Sequence, residues 1–142
     1  KESLQKTNLG SLKVEDCVNL EKAMTLNSKL DGHMVQGHVD ITGIVKKINK
    51  KNNSREFFIA FPNSYLDNII YVGSISINGV SLTIAEIIKS EENEVLIKLA
   101  VIPHTYNVTN FNMLKVNDPV NIEFDMIGKY VKNILQNKTL NS

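Results

Sequence analysis

The stretch GSISINGVSLTIAE, Gly73–Glu86, decides how this chain is read. Ile75, Ile77, Val80, Leu82 and Ile84 alternate in it with mostly polar residues, the period of strands with one buried face. Asn78-Gly79 sits at its middle, and that dipeptide is a strong hairpin signal because both residues tolerate positive φ. The stretch therefore reads as two antiparallel strands joined by a tight turn.

Working outward, Val95–Val101 is a further strand after the acidic turn Glu91-Glu92-Asn93. Glu56–Phe61 is another, with Phe57, Ile59 and Phe61 on one face, and the polar turn Lys50–Ser54 precedes it. Gln36–Ile48 reads as a strand, and Lys1–Leu20 is strand-prone, with Leu12, Val14, Val18 and Leu20 at even spacing around the turn-forming Glu15-Asp16. Lys22–Leu30 is short, ambiguous and partly helical in composition. Pro62–Ile70 predicts one or two helical turns through Tyr65, Leu66, Ile69 and Ile70. Asp125–Leu135 places Met126, Ile127, Tyr130, Val131, Ile134 and Leu135 at the spacing of an amphipathic helix. Many short strands with little helix point to a small antiparallel barrel or sandwich.

Composition narrows the class of protein. The 142 residues are 42% hydrophobic and 22% charged with a net charge of +1, as in an ordinary globular chain. That charge is too small for an electrostatic grip on nucleic acid or a membrane surface. The lysines Lys46, Lys47, Lys50 and Lys51 flank a polar loop and read as a solvated turn. Cys17 is the single cysteine, so no internal disulfide forms and a reducing, cytoplasmic setting is expected. No apolar run reaches membrane-spanning length.

Asp31–Gly43, DGHMVQGHVDITG, gathers three glycines and two of the three histidines. Glycines at that density mark a backbone that bends or comes close to something else. His38 lies just before the alternating run Val39-Asp40-Ile41-Thr42, where it is expected at the opening of a strand. His33 and His38 match no zinc spacing, and no second cysteine is present to help them, so no metal site is expected.

An internal repeat changes the scale of the reading. TNLGSLKVEDCVNLE (Thr7–Glu21) and TNFNMLKVNDPVNIE (Thr109–Glu123) agree at nine of fifteen positions without a gap, 102 residues apart. If the second copy starts near Gln36, the first would start about 65 residues before Lys1 by the same period. With no Met at the start, the expectation is the later part of a longer protein built of two tandem barrels. Residues 1–30 would be the end of the first barrel, 31–124 the second, and 125–142 a C-terminal helix and tail.

LKVEDCVNLE (Leu12–Glu21), DGHMVQGHVDITG (Asp31–Gly43), GSISINGVSLT (Gly73–Thr83), IPHT (Ile102–Thr105) and VNIEFD (Val120–Asp125), in that order, resemble riboflavin synthase. The resemblance runs from Glu2 to about Leu135 and implies six-stranded Greek-key barrels, an all-β fold. It also implies the last step of riboflavin biosynthesis, a transfer of a four-carbon unit between two molecules of 6,7-dimethyl-8-ribityllumazine that yields riboflavin and a pyrimidinedione. Neither metal nor redox cofactor is needed, because the lumazine has an acidic C7 methyl and an electrophilic C7. The protein is left to move protons, stack two pteridines and stabilise developing charge.

Carried onto this chain, the resemblance makes His38 a proton shuttle, since imidazole exchanges protons near neutrality. Ser81 would polarise or position the ring, and Asp125 would orient a partner or take up a proton, or simply cap the final helix. Gly37, Val39, Val72, Val80, Leu82 and Thr83 would line the substrate pocket, with Thr83 on the same strand face as Ser81. Ala100, Val101, Ile102, Pro103, His104 and Thr105 would form a backbone edge reading the pteridine. Ser3, which falls opposite Thr105 in the repeat, would survive with Lys1 and Glu2 from the first barrel's pocket. The family often has lysine where Val72 stands, and glycine where Asp31 and Glu15 stand. Self-association as a homotrimer and lumazine synthase are the implied protein partners, with no nucleic acid or membrane. A non-catalytic, antenna-type lumazine or flavin binder is the alternative, and a barrel used only for assembly is a third.

Overall fold

The computed structural model describes residues 2–89 and 93–140. Six antiparallel strands form a closed barrel: β1 (Ile41–Lys50), β2 (Arg55–Pro62), β3 (Ser74–Ile77), β4 (Val80–Lys89), β5 (Glu94–Val101) and β6 (Pro119–Phe124). Their order around the barrel is β1-β2-β5-β4-β3-β6, and β6 closes it by pairing with both β1 and β3. Closure leaves no open edge on the sheet. Three helices accompany the strands: α1 (Glu2–Lys6), α2 (Pro103–Val108) and α3 (Met126–Leu140).

The alternation read from the sequence is what fills the barrel. Phe57, Ile59, Ile75, Ile77, Ile84, Ile97, Leu99 and Ile122 are wholly buried, so one face of each strand turns inward. Phe57 meets Phe111 edge to face at 5.0 Å, and Phe124 lies between Phe61 at 5.6 Å and Tyr65 at 5.5 Å. Such pairs add roughly 0.5–1.5 kcal/mol each beyond the area they bury. The β3–β4 hairpin turns at Asn78 (φ 50°) and Gly79 (φ 80°), the left-handed pair that Asn-Gly was expected to supply.

The barrel reading is thus met, and β5 and the helical turn at Asn63–Asn68 fall where they were expected. Three expectations are corrected. The strand expected over Gln36–Ile48 starts only at Ile41, because the chain through Gln36 and Gly37 is held over the outside of the barrel by Glu123 and first meets β6 at Asp40, whose N–H bonds to the Ile122 carbonyl. Strand-prone Lys1–Leu20 contains α1 and a 3-10 turn at Asn8–Ser11 but no strand among its described residues, since no neighbouring strand is there to pair with it. The edge expected over Ala100–Thr105 ends early: Pro103 opens α2, as proline suits a helix's first turn. Glu91 and Glu92, half of the acidic turn, lie outside the described residues, as does Lys1.

Candidate functional site

The candidate site is built on one outer row of the barrel. Register sets Ser76 opposite Ser81 on β4 and opposite Glu123 on β6, so the three lie side by side across three strands. All three face away from the interior that holds Ile75, Ile77 and Ile122. An outward Ser76 and Glu123 would ordinarily be wet, yet they are only 1% and 5% exposed. The segment from Gly32 to His38 lies over them as a strap.

Two anchors hold the strap. Glu123 accepts hydrogen bonds from the backbone N–H groups of Gln36 (2.8 Å) and Gly37 (3.0 Å), one on each carboxylate oxygen. A buried carboxylate costs stability unless it is satisfied, and two amide donors satisfy it. At the other end His33 Nδ1 lies 2.8 Å from Ser81 Oγ, sharing one proton with it. The backbone must come very close here. A Cβ on Gly32 would stand 2.4 Å from Ser81 Oγ, and φ at Gly32 is +92°, so only glycine fits. His33 Nε2 is buried and has no partner among the described residues.

The proposed residues fall into separate groups. Ser81 and Thr83 share one face, as expected, with Thr83 exposed beyond the strap. Val80 and Leu82 turn the other way and pack on the core. His38 is exposed and its one hydrogen bond is with Gln36, at 3.4 Å, so it is His33 that reaches Ser81. Gly37 has φ +77° and Val39 is half-buried beside it. Asp125 caps α3, accepting from the Ile127 N–H at 2.9 Å, and lines an apolar groove of about 470 Å³ between α3 and the Asn63–Asn68 turn. Its neighbour Asp40 takes the Phe124 N–H at 2.9 Å and pairs with Lys129 at 2.6 Å, which ties α3 to the barrel.

Around the far end, Val101 is buried, Ala100 and Ile102 are exposed, and Pro103, His104 and Thr105 belong to α2. Thr105 offers its carbonyl to Thr109 Oγ1 at 2.6 Å, and Ser3 offers its own to Thr7 Oγ1 at 2.5 Å, so the two counterparts play the same local part. Glu2 of the same helix pairs with Lys6 at 2.6 Å. Val72 is exposed with φ +61°, a conformation a β-branched residue adopts at a cost of about 1–3 kcal/mol. Its N–H bonds to the Ile84 carbonyl at 3.0 Å. Glu15 also has positive φ, +82°. Both departures noted in the sequence at Val72 and Glu15 are thus left-handed positions.

Sequence reasoning passed over His33, Gly32 and Glu123. Glu123 carried a signal: it is the one charge in its strand, set between Ile122 and Phe124 and repeated as Glu21 in the first copy. The resolved titration shifts lie away from the strap. Hydrogen bonding to Glu86 raises the Lys98 amino group, and the Glu2–Lys6 pair lowers Glu2 and raises Lys6. Among the described residues no cluster of His, Cys, Asp and Glu could hold a metal ion, and no helix is long and apolar enough to cross a membrane.

Fold and strap define a closed six-stranded antiparallel barrel with one covered outer face. The chain belongs to the lumazine binding domain family, whose model matches residues 36–125. It is 38% identical over 137 residues to riboflavin synthase of Actinobacillus pleuropneumoniae, covering 96% of this chain and 61% of that protein. It is 37% identical over 142 residues to riboflavin synthase of Bacillus subtilis, covering 97% and 64%. The chain therefore spans about three-fifths of the length of these relatives. Among solved structures, LumP complexed with 6,7-dimethyl-8-(1'-D-ribityl) lumazine is similar in fold, with TM-score 0.71 and 22% identity, covering 87% of this chain and 63% of that one.

Proposed function

We propose that this barrel is a lumazine-binding half of a riboflavin synthase, and that it contributes to the dismutation of two 6,7-dimethyl-8-ribityllumazine molecules. The observation that supports this most is identity of 37–38% with riboflavin synthases along nearly the whole chain. In this reading the pteridine lies against the outer face of β3 and β4, where Ser81 and Thr83 offer hydroxyls and Gly37–Val39 and the β5–α2 corner flank it. Ser81, held by His33, is presented in one orientation, and Thr105 offers a second hydroxyl. His38, exposed beside the strap, moves a proton at the C7 methyl. Asp125 orients its neighbours while it caps α3. Ser3, Glu2 and Lys1 belong to the corresponding wall of a first barrel, with residues 1–30 its end, 31–124 the second barrel and 125–142 the helix and tail.

A complete site takes two pteridines on two barrels, which fits assembly as a homotrimer and a cytoplasmic enzyme that works beside lumazine synthase. Exposed Ile127, Tyr130, Val131, Ile134 and Leu135 on α3 are suited to such self-association. The second reading, an antenna-type binder without turnover, is supported by the fold likeness to ligand-bound LumP.

Mixing the protein with the lumazine and following riboflavin fluorescence separates the readings. We expect binding with turnover well below that of a two-barrel enzyme, and loss of the residual turnover in Ser81→Ala. Binding without any product, even when a first barrel is supplied in trans, favours the antenna reading. Absence of binding overturns both.

A further inference from the structure

Asn78-Gly79 is the single Asn-Gly dipeptide of the chain, and it sits where three segments meet. Residues 8–19 touch the barrel along a seam of asparagines: the Asn8 N–H donates to Asn121 Oδ1 at 2.7 Å, and Asn19 Nδ2 donates to Asn110 Oδ1 at 2.9 Å. Asn78, at the β3–β4 turn, is tied into that seam through its backbone and its side chain alike. Its N–H bonds to the Asn121 carbonyl at 2.9 Å, and its Oδ1 accepts from the Asn121 N–H at 2.8 Å. Its own carbonyl accepts from Asn19 Nδ2 at 2.9 Å, and its Nδ2 reaches Asn110 Oδ1 at 3.5 Å.

An asparagine followed by glycine carries its own reagent. The Gly79 nitrogen can attack Asn78 Cγ, giving its proton to water as the N–C bond forms, while the Cγ–Nδ2 bond breaks and ammonia leaves. Water then opens the five-membered succinimide at either carbonyl, leaving aspartate or isoaspartate, with nothing oxidised or reduced. Glycine leaves the attacking nitrogen unshielded: Gly79 is exposed, and nothing stands within 4 Å of where its Cβ would be. What the fold withholds is the geometry of attack. Ring closure needs the side chain folded back onto the peptide that follows it. Here the side chain reaches the other way, to the Asn121 N–H on β6 and to Asn110.

We propose that Asn78 is a covalent modification site, a clamped asparagine that converts to isoaspartate when the seam opens and whose conversion in turn unfastens residues 7–21 from the barrel. The isoaspartate product runs the main chain through Cγ. That adds one methylene to a two-residue turn whose register sets Ser76 opposite Ser81. The aspartate product keeps the turn but loses the Nδ2 donor and sets a negative charge against Asn110 Oδ1. The inference rests on this clamp and holds whichever ligand the barrel takes.

The test incubates the full chain and a peptide of residues 74–83 at mildly alkaline pH. Mass spectrometry follows the mass gained when the amide becomes a carboxylate, and isoaspartyl methyltransferase scores the isoaspartate. We expect Asn78 to convert about tenfold or more slowly in the chain than in the peptide, because several hydrogen bonds must open first. Asn19→Ala removes the donor to the Asn78 carbonyl and should speed conversion about fivefold. If that variant fails to fold, Asn19→Asp serves in its place: it deletes the same donor but keeps the acceptor for the Asn110 N–H at 2.8 Å. Amide exchange at residues 8–19 should be faster in the converted chain than in the unconverted one, with β2 and β5 unchanged. Equal rates in chain and peptide overturn the proposal. So does conversion that loss of the Asn19 donor leaves unchanged, or a converted chain whose residues 8–19 exchange as before.

Discussion

Residues 7–21 and 109–123 are nearly the same text in two settings. Locally they fold alike, with a Thr side chain capping a 3-10 turn and an Asp side chain holding the turn that follows. Beyond that they part. Phe111, Val120 and Ile122 are wholly buried in the second copy, while their counterparts Leu9, Val18 and Leu20 are 46%, 49% and 91% exposed in the first. Residues 119–124 become β6 because β1 and β3 flank them, whereas residues 17–21 have no described strand beside them and stay irregular. Sequence dictates the turns; neighbours dictate the strand and the burial.

Four measurements press on that contrast. Phe111→Ala removes the ring packed on Phe57 and should cost about 3–5 kcal/mol in urea unfolding, whereas Leu9→Ala should stay within about 0.5 kcal/mol. Equal losses would mean that the first copy is as deeply packed as the second. Glu123→Gln leaves only one oxygen for two N–H donors and should cost roughly 1–3 kcal/mol. The same change at exposed Glu21 should be nearly silent in the same assay.

Asp118→Ala and Asp16→Ala each delete one turn hydrogen bond, worth about 1 kcal/mol. The former should lower global stability, and the latter should quicken amide exchange only around Lys13. The smallest effect is at α1. Its Glu2–Lys6 pair has no counterpart in α2, where His104 and Val108 stand at those positions. The pair holds the Glu2 carboxyl below the usual carboxylate range, so its contribution is present above that range and is lost as pH falls through the lowered value. A carbon-detected NMR titration should show Glu2 titrating below the usual carboxylate range, and a midpoint within that range would refute the pairing.

Much of this architecture was legible in advance. Period-two alternation gave β2 to β5, Asn-Gly gave the hairpin, and the i, i+4 row gave α3, because each reports a local preference. The start of β1 was misplaced, since residues 36–40 alternate like a strand but are drawn across the outer face by Glu123. That contact joins positions more than eighty residues apart, and periodicity carries no trace of it. For the same reason His38 drew attention for its glycine neighbours, while His33 holds Ser81. Ser81 and Asp125 were named through the family resemblance of GSISINGVSLT and VNIEFD, and the plainer alternative for Asp125, a cap on the final helix, is the part it plays here.

The seam has an order of assembly written into it. Asn8 bonds to a residue 113 positions later in the chain, and Asn19 bonds to the tip of a hairpin that must itself be seated on β6 through the Asn78–Asn121 ladder. A ribosome therefore releases the first copy long before its landing place exists. Until the hairpin and β6 emerge, the amide groups of Asn8 and Asn19 wait without the partners they bond in the folded chain.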